Sequence, residues 1–548
     1  MLSRGLGDGC GVNKPFTFAA MTDRGFLFAL LALLVVTVLG STLDVMEVDA
    51  AQYAAMSQDM MSSDNWLELY HRGQDYLDKP PLLFWLSALS FKVFGVHNWS
   101  YKLPSILFAF LGLYSTYRFA LLHYGRDIAR TAVLMFGSSA AFLLMTNDVR
   151  CDTILTGSVI TAIWLGSAWM DQRKTWQLFG CAIAIAAGML AKGPMGAVAP
   201  LLALGGDVLF RKRWEVLRDA RLLFVPLIIC ALLIPMCMGL YAQHGMHGIR
   251  FYFWEQSFGR ITGENRWKDD SSIFFFTHEV LWELLPWTLF VLIGLWRSMV
   301  AIIKRQPLRE YATITGTVLV FIALSLSQFK LPHYLYVIVP MFAVIGAQAF
   351  HAVYTTAVRV AQVVVVVLLI VITGVLGAWA FPGGGLAYLA LLLGGAAGAG
   401  VVHMLAPSQA TLFGFSRMAM VFIGIAVNGH IYPELLRYQA NARAGQWARE
   451  NSVPSEQFLS VGVGGTALNF YAGYTVNYKF NADEARPLIE PGMFVYTNAE
   501  QLAQLEALGA VPLERTHFDN YDVQLLGLDF VLPHSRDRVT EDRYLLRY

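Results

Sequence analysis

The sequence predicts an α-helical polytopic membrane protein with about 13 transmembrane helices and a small C-terminal α/β domain. Apolar residues make up 56% of the 548 residues and charged residues only 14%, and the mean hydropathy is +0.50, unlike a water-soluble protein. Apolar stretches of roughly 20 residues, the length that crosses a hydrocarbon core, recur along the chain. After about residue 434 they give way to short strand-like and helix-like runs.

The first predicted span is expected to be a retained anchor, because no small-residue cleavage site follows it. The predicted spans are 25–43, 102–122, 129–147, 154–170, 175–191, 194–210, 221–241, 280–299, 311–327, 333–351, 360–381, 385–404 and 412–431.

The distribution of Lys and Arg predicts the orientation. Every second loop is basic, and basic loops are held on the cytoplasmic side. Residues 1–24 are therefore expected in the cytoplasm and 25–434 to form the membrane domain. The loops 44–101 and 242–279 and the segment 435–548 are expected on the periplasmic side. A net charge of +1 gives no general basic field, so membrane lipids rather than nucleic acid are the expected surroundings.

The C-terminal segment alternates strand-like and helix-like runs, which predicts a small α/β domain. The predicted strands are Phe458–Val463, Tyr474–Phe480, Met493–Thr497 and Val523–Leu528, and the predicted helix is Ala499–Leu508. The run Gly462–Ala467 formally matches the GxGxxA pattern of dinucleotide-binding folds. We interpret it as a glycine turn that packs a strand against a helix, since nicotinamide cofactors are not available outside the cell membrane.

Ionisable residues next to apolar spans are candidates for function, because charge at membrane depth is costly. Asp49 follows the first span, where a partly desolvated carboxylate can act as a general base. Alternatively, Asp49 caps a helix that begins at Ala50, since aspartate accepts hydrogen bonds from free N–H groups at a helix start. Position alone leaves both interpretations open.

The segment Tyr76–Pro81 carries a cation next to two prolines. The prolines favour an extended entry followed by a helix start, which would hold Lys79 rigidly at the interface. An ammonium group there suits a lipid-linked phosphate. The alternative is a lysine that reaches the membrane surface and pairs with Asp78.

Further charged side chains occupy short turns on the same side of the membrane. Arg150 and Asp152 lie in one turn, where ion pairs could close the bundle. Lys192 has no acid nearby in the sequence and needs a remote partner or an anion. Lys330 and Tyr334 open another span, and at i, i+4 of a helix both could reach a phosphate oxygen. They could equally be interfacial anchors.

The segment 251–279, which includes Arg260, mixes charged and aromatic residues. This composition is typical of an amphipathic lid that binds headgroups or sugars, and equally of an ordinary interfacial helix. His244, His247 and His278 raise the alternative of a divalent metal, although their spacing matches no strong pattern. No cofactor is expected with certainty, and a divalent metal remains an open alternative.

In their order along the chain, these motifs resemble those of the bacterial GT-C membrane glycosyltransferases, the superfamily of protein O-mannosyltransferases and aminoarabinose (lipid A) transferases. The resemblance spans residues 25 to about 340. It rests on Asp49 with Tyr53, Asp78–Pro81, Lys102–Ser105, Arg150 with Asp152, Lys192–Gly193, and Lys330 with Tyr334.

The resemblance implies inverting transfer of a single sugar from a polyprenyl-phosphate donor to a lipid A, glycan or protein acceptor, at the periplasmic face of a bacterial inner membrane. By this analogy Asp49 would deprotonate the acceptor hydroxyl and Asp152 would position a residue or the sugar. The lipid phosphate would be bound by Lys79, Lys192 and Tyr334, with Arg260 as a helper. The other predicted substrate-binding residues are Tyr53, Tyr76, Asp78, Arg150 and Lys330.

Three positions depart from the pattern of the aminoarabinose transferases. Their first motif reads Asp-Glu-x-Arg-Tyr, whereas here Ala50 and Gln52 stand where that Glu and that Arg are usual, and Asp78 stands where Glu is usual in the second motif. The sugar and the acceptor therefore stay open. The rival class is a transporter or flippase of a lipid-linked anionic sugar, which would be expected to show ionisable residues near mid-membrane and internal symmetry.

Overall fold

A computed structural model of the protein describes residues 21–256, 259–262, 271–383 and 385–548. Helices dominate its first half, together with a short hairpin of β1 (Tyr70–His71) and β2 (Gln74–Asp75). These helices are α1 (Asp23–Ser41), α2 (Asp49–Ser63), α3 (Leu82–Phe94), α4 (Asn98–Tyr124), α5 (Arg126–Gly137), α6 (Ala140–Asn147), α7 (Cys151–Gln172), α8 (Thr175–Lys192), α9 (Met195–Phe210) and α10 (Phe224–Arg250).

The helices continue to the end of the apolar region. They are α11 (Gly259–Thr262), α12 (Phe275–Glu283), α13 (Thr288–Ile303), α14 (Ala312–Ser325), α15 (Val339–Ala352), α16 (Thr356–Val375), α17 (Leu386–Leu405), α18 (Gln409–Ala426) and α19 (Tyr432–Leu436). A 3-10 helix, Pro332–Ile338, leads into α15.

The protein is a multi-pass membrane protein. Within the described ranges, nine helical segments are long and apolar enough to cross a membrane, and the pair α5 and α6, bent by 52°, raises the number to ten. Three shorter apolar helices, α9, α13 and α14, occupy the remaining predicted spans with 16, 16 and 14 residues. The predicted polytopic fold is confirmed, with its helix number approximate.

Helix α7 forms the centre of the bundle, where its membrane-spanning window is entirely buried. Small residues let its neighbours approach closely. A Cβ atom on Gly157 of α7 would lie 2.3 Å from the Phe108 carbonyl oxygen of α4. One on Gly196 of α9 would lie 2.2 Å from the Gly188 backbone of α8. The first contact brings α4 close to α7, and the second brings α9 close to α8.

The C-terminal part folds as a mixed five-stranded sheet with helices, in the strand order β4-β3-β5-β7-β6. Strands β3 and β4, and β3 and β5, are parallel, whereas β7 is antiparallel to β5 and β6. Its elements are α20 (Ala440–Glu450), β3 (Phe458–Val461), α21 (Thr466–Ala472), β4 (Asn477–Lys479), α22 (Ala482–Ala485), β5 (Phe494–Asn498), α23 (Ala499–Ala507), β6 (Glu514–Asn520), α24 (Leu528–Val531) and β7 (Glu541–Arg547).

Three of the four predicted strands are present in this sheet, and the fourth, Val523–Leu528, is wrong. That run is a turn, and Val523 is buried against Phe381 and Phe530 instead of pairing in the sheet. Strands β6 and β7 were not predicted. Strand β6 is a largely exposed edge strand with polar side chains, so it lacks the apolar alternation on which strand prediction depends.

Candidate active site

Asp49 lies at the first residue of α2, directly after the link from α1. Val48 occupies the cap position, and the Asp49 carboxylate pairs with the Arg150 guanidinium instead of capping the helix. Arg150 also donates from Nε to Asp148 Oδ2 at 2.7 Å. The alternative that Asp49 caps α2 is therefore wrong, and Arg150 stands between two carboxylates at the start of α7.

Asp152 and Lys192 form a second ion pair, with 2.5 Å between Lys192 Nζ and Asp152 Oδ1. Asp152 is 2% exposed, and His333 Nε2 lies 3.8 Å from its other oxygen. The Lys192 ammonium also stands over the Tyr334 ring, 3.7 Å from its centroid. The remote partner that Lys192 requires is thus Asp152, while Arg150 pairs with other acids.

Lys79 pairs with its neighbour Asp78, with 2.5 Å between Nζ and Oδ2. Burial alone would lower the pKa of Lys79, but Asp78 and the Tyr334 phenol raise it above its ordinary value. Lys79 therefore stays a cation. Pro81 precedes the first residue of α3, as the two prolines predicted, and Gln256 donates a hydrogen bond to the Asp78 carbonyl.

These groups line two neighbouring cavities. The smaller has a volume of about 90 Å³, and its polar lining residues are Lys79, Asp152, Lys192, Gln256, Ser327 and Tyr334. The larger has a volume of about 710 Å³, and its polar lining residues include Asp49, Asp148, Arg150, Glu283, His333 and Tyr336. His333 lines the larger cavity and faces Asp152 of the smaller one, so the walls of the two cavities touch at this pair.

Two of the predicted substrate-binding residues, Tyr53 and Tyr76, pack against an aromatic ring of α3. Tyr53 and Tyr76 pack edge-on against the Phe84 ring, with centroid distances of 5.6 and 6.2 Å. Burial raises the pKa of Tyr53 well above its ordinary value, so its phenol stays neutral. Their packing places α2 against α3, next to Lys79.

Lys330 and Tyr334 are not related as the sequence predicted. Lys330 precedes the 3-10 helix that begins at Pro332, so the two do not lie one α-helical turn apart. Lys330 donates a hydrogen bond to the Ser271 carbonyl at 3.2 Å. It does not belong to the described lining of either cavity. The Arg260 side chain lies outside the described part of the structure.

The three histidines suggested for a metal do not form a cluster. Among the described residues, the one group of His, Cys, Asp or Glu side chains close enough to hold an ion is His517, Asp519 and Asp542. That group is exposed on strands β6 and β7, away from the two cavities. His244, His247 and His278 are therefore not a candidate metal centre.

Two acids that line the larger cavity, Asp148 and Glu283, were not predicted from the sequence. Glu283 is 2% exposed, and its Oε2 accepts no hydrogen bond within the described residues. A signal was available, because Glu283 lies inside a predicted span, where an acid is a functional candidate by default. Asp148 was not singled out because it lies just before the Arg-x-Asp motif and is not part of it.

Known proteins share the fold of this chain. A family model described as dolichyl-phosphate-mannose-protein mannosyltransferase matches residues 78–238. The crystal structure of ArnT from Cupriavidus metallidurans bound to undecaprenyl phosphate is similar over 96% of this chain and 98% of that one, with a TM-score of 0.75 and 17% sequence identity. This likeness shows the fold: the chain has the GT-C fold that the motifs predicted.

The curated relatives are transferases with more specific names. An undecaprenyl phosphate-alpha-4-amino-4-deoxy-L-arabinose arabinosyl transferase 1 of Pseudomonas fluorescens (strain Pf0-1) is 26% identical over 52% of this chain and 50% of its own length. The corresponding transferase of Edwardsiella ictaluri (strain 93-146) is 26% identical over 54% of this chain and 53% of its own. The chain thus matches about half the length of these relatives.

Proposed function

We propose that this protein is an inverting glycosyltransferase that moves a single sugar from a polyprenyl-phosphate donor to an acceptor hydroxyl. One observation carries the proposal. Asp49 lines a cavity of about 710 Å³, and the adjoining smaller cavity contains Lys79 and Lys192. A carboxylate on one side and cations on the other match the two charges that such a transfer creates.

The cations suit the departing group. As the bond between the anomeric carbon and the phosphate oxygen breaks, negative charge grows on the phosphate, and fixed positive charges stabilise that transition state. Lys79, Lys192 and the Tyr334 hydroxyl would take this role. In the ground state the two lysines are neutralised by Asp78 and Asp152, so an entering phosphate would have to share or displace those partners.

The carboxylate suits the acceptor. Asp49 would take the proton of the acceptor hydroxyl as its oxygen attacks the anomeric carbon from the face opposite the phosphate, which inverts that centre. Arg150 holds Asp49 and Asp148 on one guanidinium, which fixes the direction of the Asp49 carboxylate. Asp152, between Lys192 and His333, would orient the sugar where the cavities meet.

The names of the relatives favour undecaprenyl phosphate aminoarabinose as the donor, and lipid A is the acceptor that the resemblance implies. Gln52 and Asp78 differ from the motif of those enzymes, so the sugar and the acceptor are the parts of the proposal that experiment must fix first.

We place the reaction at the periplasmic face of a bacterial inner membrane. Residues 25–434 would form the catalytic membrane domain, residues 1–24 its cytoplasmic start, and 435–548 a periplasmic domain. The loops 44–101 and 242–279 would border the active site. The basic loops between the predicted spans support this orientation.

A transporter or flippase of the same lipid-linked sugar is the less favoured alternative. It would use the lysines of the smaller cavity equally well. It gives no reason for a carboxylate such as Asp49, clamped by Arg150, next to that cavity. The relatives whose names state an activity are transferases.

The first test is mass spectrometry of envelope lipids, glycans and proteins from cells with and without the protein. We expect a mass difference of one sugar in one fraction, which Asp49→Asn removes, because losing a general base costs roughly 10²- to 10⁴-fold in rate. Asp59→Asn is the matched control, since Asp59 is exposed on the same helix. Transfer that survives in Asp49→Asn would refute its role as the base.

A further inference from the structure

The link between α1 and Asp49 is held by the C-terminal part of the chain, far away in sequence. Within residues 44–48, the Val45 N–H donates to the Tyr471 hydroxyl at 2.7 Å. The Glu47 N–H donates to the Gln439 side chain at 2.8 Å. Backbone groups of a short link are thus satisfied by side chains that belong to the segment after the last membrane helix.

The Glu47 carboxylate extends this contact into the glycine loop after β3. Its Oε2 accepts from the Asn441 amide at 2.8 Å, and its Oε1 accepts from the Ala467 N–H at 3.1 Å. The Thr466 hydroxyl lies 3.4 Å from the same Oε1 and donates to the Val48 carbonyl at 3.2 Å. The anion that the GxGxxA-like loop binds is therefore a side chain of this protein.

The close approach explains why a glycine stands in the loop. A Cβ atom on Gly465 would lie 2.2 Å from Glu47 Oε1 and 2.2 Å from Asn441 Nδ2, a distance that real Cβ atoms do not show. At the preceding Gly464 a Cβ atom would meet Tyr478 at 3.4 Å, an ordinary contact. Only one of two adjacent glycines is therefore required by this contact.

The contact is also connected to the sheet and to the active site. The Tyr496 hydroxyl of β5 donates to the side-chain oxygen Oδ1 of Asn441 at 2.9 Å. This bond turns the side-chain NH₂ group of Asn441 towards Glu47. Val48, the residue between Glu47 and Asp49, is the cap residue of α2. A displacement of this link would move Asp49 relative to Arg150.

We propose that the C-terminal α/β unit positions the general base, with Glu47 as the positioning residue that fixes the entry to α2 and hence the Asp49 carboxylate. This inference rests on the proposed function. The side chain of Glu47 does not line either cavity within the described residues, so it acts through Asp49 and not on the substrate.

The experiment compares full-length Glu47→Ala, Gly465→Ala and Gly464→Ala. Sugar transfer is measured as kcat and KM, and undecaprenyl phosphate binding is measured separately. We expect the first two variants to lower kcat by roughly 10- to 100-fold, because misplacing a reacting group by about 1 Å costs up to that much. Binding of undecaprenyl phosphate, which uses other side chains, should stay unchanged. Gly464→Ala should behave as the wild type.

Two further readouts separate positioning from general damage. Hydrogen exchange of peptides covering residues 44–50 should accelerate in Glu47→Ala, while peptides from α7 stay protected. The double variant Glu47→Ala with Gly465→Ala should be no slower than Glu47→Ala alone, because both changes break the same contact.

The positioning role would be overturned if Glu47→Ala and Gly465→Ala both kept the kcat of a wild type that transfers sugar in the same assay. The proposed function would then stay intact. An equal loss of lipid binding and kcat would overturn it too, since that result indicates structural damage. Absence of transfer by the wild type with every acceptor would overturn the proposed function itself, and the positioning role with it.

Discussion

The ion pair between Asp152 and Lys192 shows how the role of a single residue depends on its partner. Asp152 is buried and ion-paired with Lys192. The pair can serve two purposes, because Lys192 stabilises a buried carboxylate and also faces the space proposed for a phosphate. Removing the lysine would affect both, so a single substitution cannot separate stability from donor binding.

A pair of variants separates them. Lys192→Met should destabilise the protein by about 3–5 kcal/mol, since it leaves Asp152 as an uncompensated buried charge. Lys192→Met combined with Asp152→Asn should recover most of that stability, yet still bind undecaprenyl phosphate weakly because the cation is absent. Thermal unfolding and lipid binding in detergent measure the two effects. Recovery of lipid binding in the double variant would exclude Lys192 as a phosphate ligand.

Among the helical elements, the contact between α1 and α4 shows a lysine of the resemblance motif in a structural role. Lys102 is 1% exposed and donates to the Gly40 and Leu43 carbonyls, each at 2.9 Å. The Gly40 carbonyl lies in the last turn of α1, and the Leu43 carbonyl lies in the link that follows this helix. Lys102 thus connects α4 to the end of α1 and to the start of the link to Asp49.

Lys102→Met should therefore lower the free energy of unfolding by about 1–3 kcal/mol, since it removes the side-chain donor of the Leu43 carbonyl. The Gly40 carbonyl keeps the hydrogen bond from the Leu43 N–H at 3.3 Å. The control is Lys92→Met on α3. The Lys92 side chain is 56% exposed and pairs with the exposed Asp64, and such pairs contribute about 0–1 kcal/mol. Equal thermal stability of the two variants would contradict the structural role of Lys102.

On the scale of the whole molecule, the orientation in the membrane decides which side the active site faces. If the basic loops lie inside, as we propose, the C-terminal sheet and the two cavities would face the periplasm. Exposed positions on both sides are available, Glu456 before β3 and Lys304 after α13.

Cysteine labelling tests this orientation. In cells with a permeabilised outer membrane, a membrane-impermeant maleimide should label Glu456→Cys at once and Lys304→Cys only after the inner membrane is opened. The signal of the wild type, which contains 5 cysteines, is the background to subtract. Labelling of Lys304→Cys at once and of Glu456→Cys only after opening the inner membrane would place the candidate active site on the cytoplasmic side. That result would contradict the proposed location.

The sequence by itself determined the membrane character, the order of the helices and most of the charged residues of the candidate site, though not Asp148 and Glu283. Hydropathy and motif spacing are local properties that the chain carries without folding. The sequence also predicted three of the five strands of the C-terminal sheet. It did not predict β7 or the edge strand β6, whose polar residues carry no burial signal.

The partners were decided only by the tertiary structure. Arg150 pairs with Asp49 across 101 positions, Lys192 with Asp152 across 40, and Glu47 binds Ala467 across 420. Contacts over such separations depend on how helices pack, and no local pattern specifies them. The same reason explains why the glycine loop was interpreted correctly as a turn while its ligand, a carboxylate next to the candidate base, could be found only in the fold.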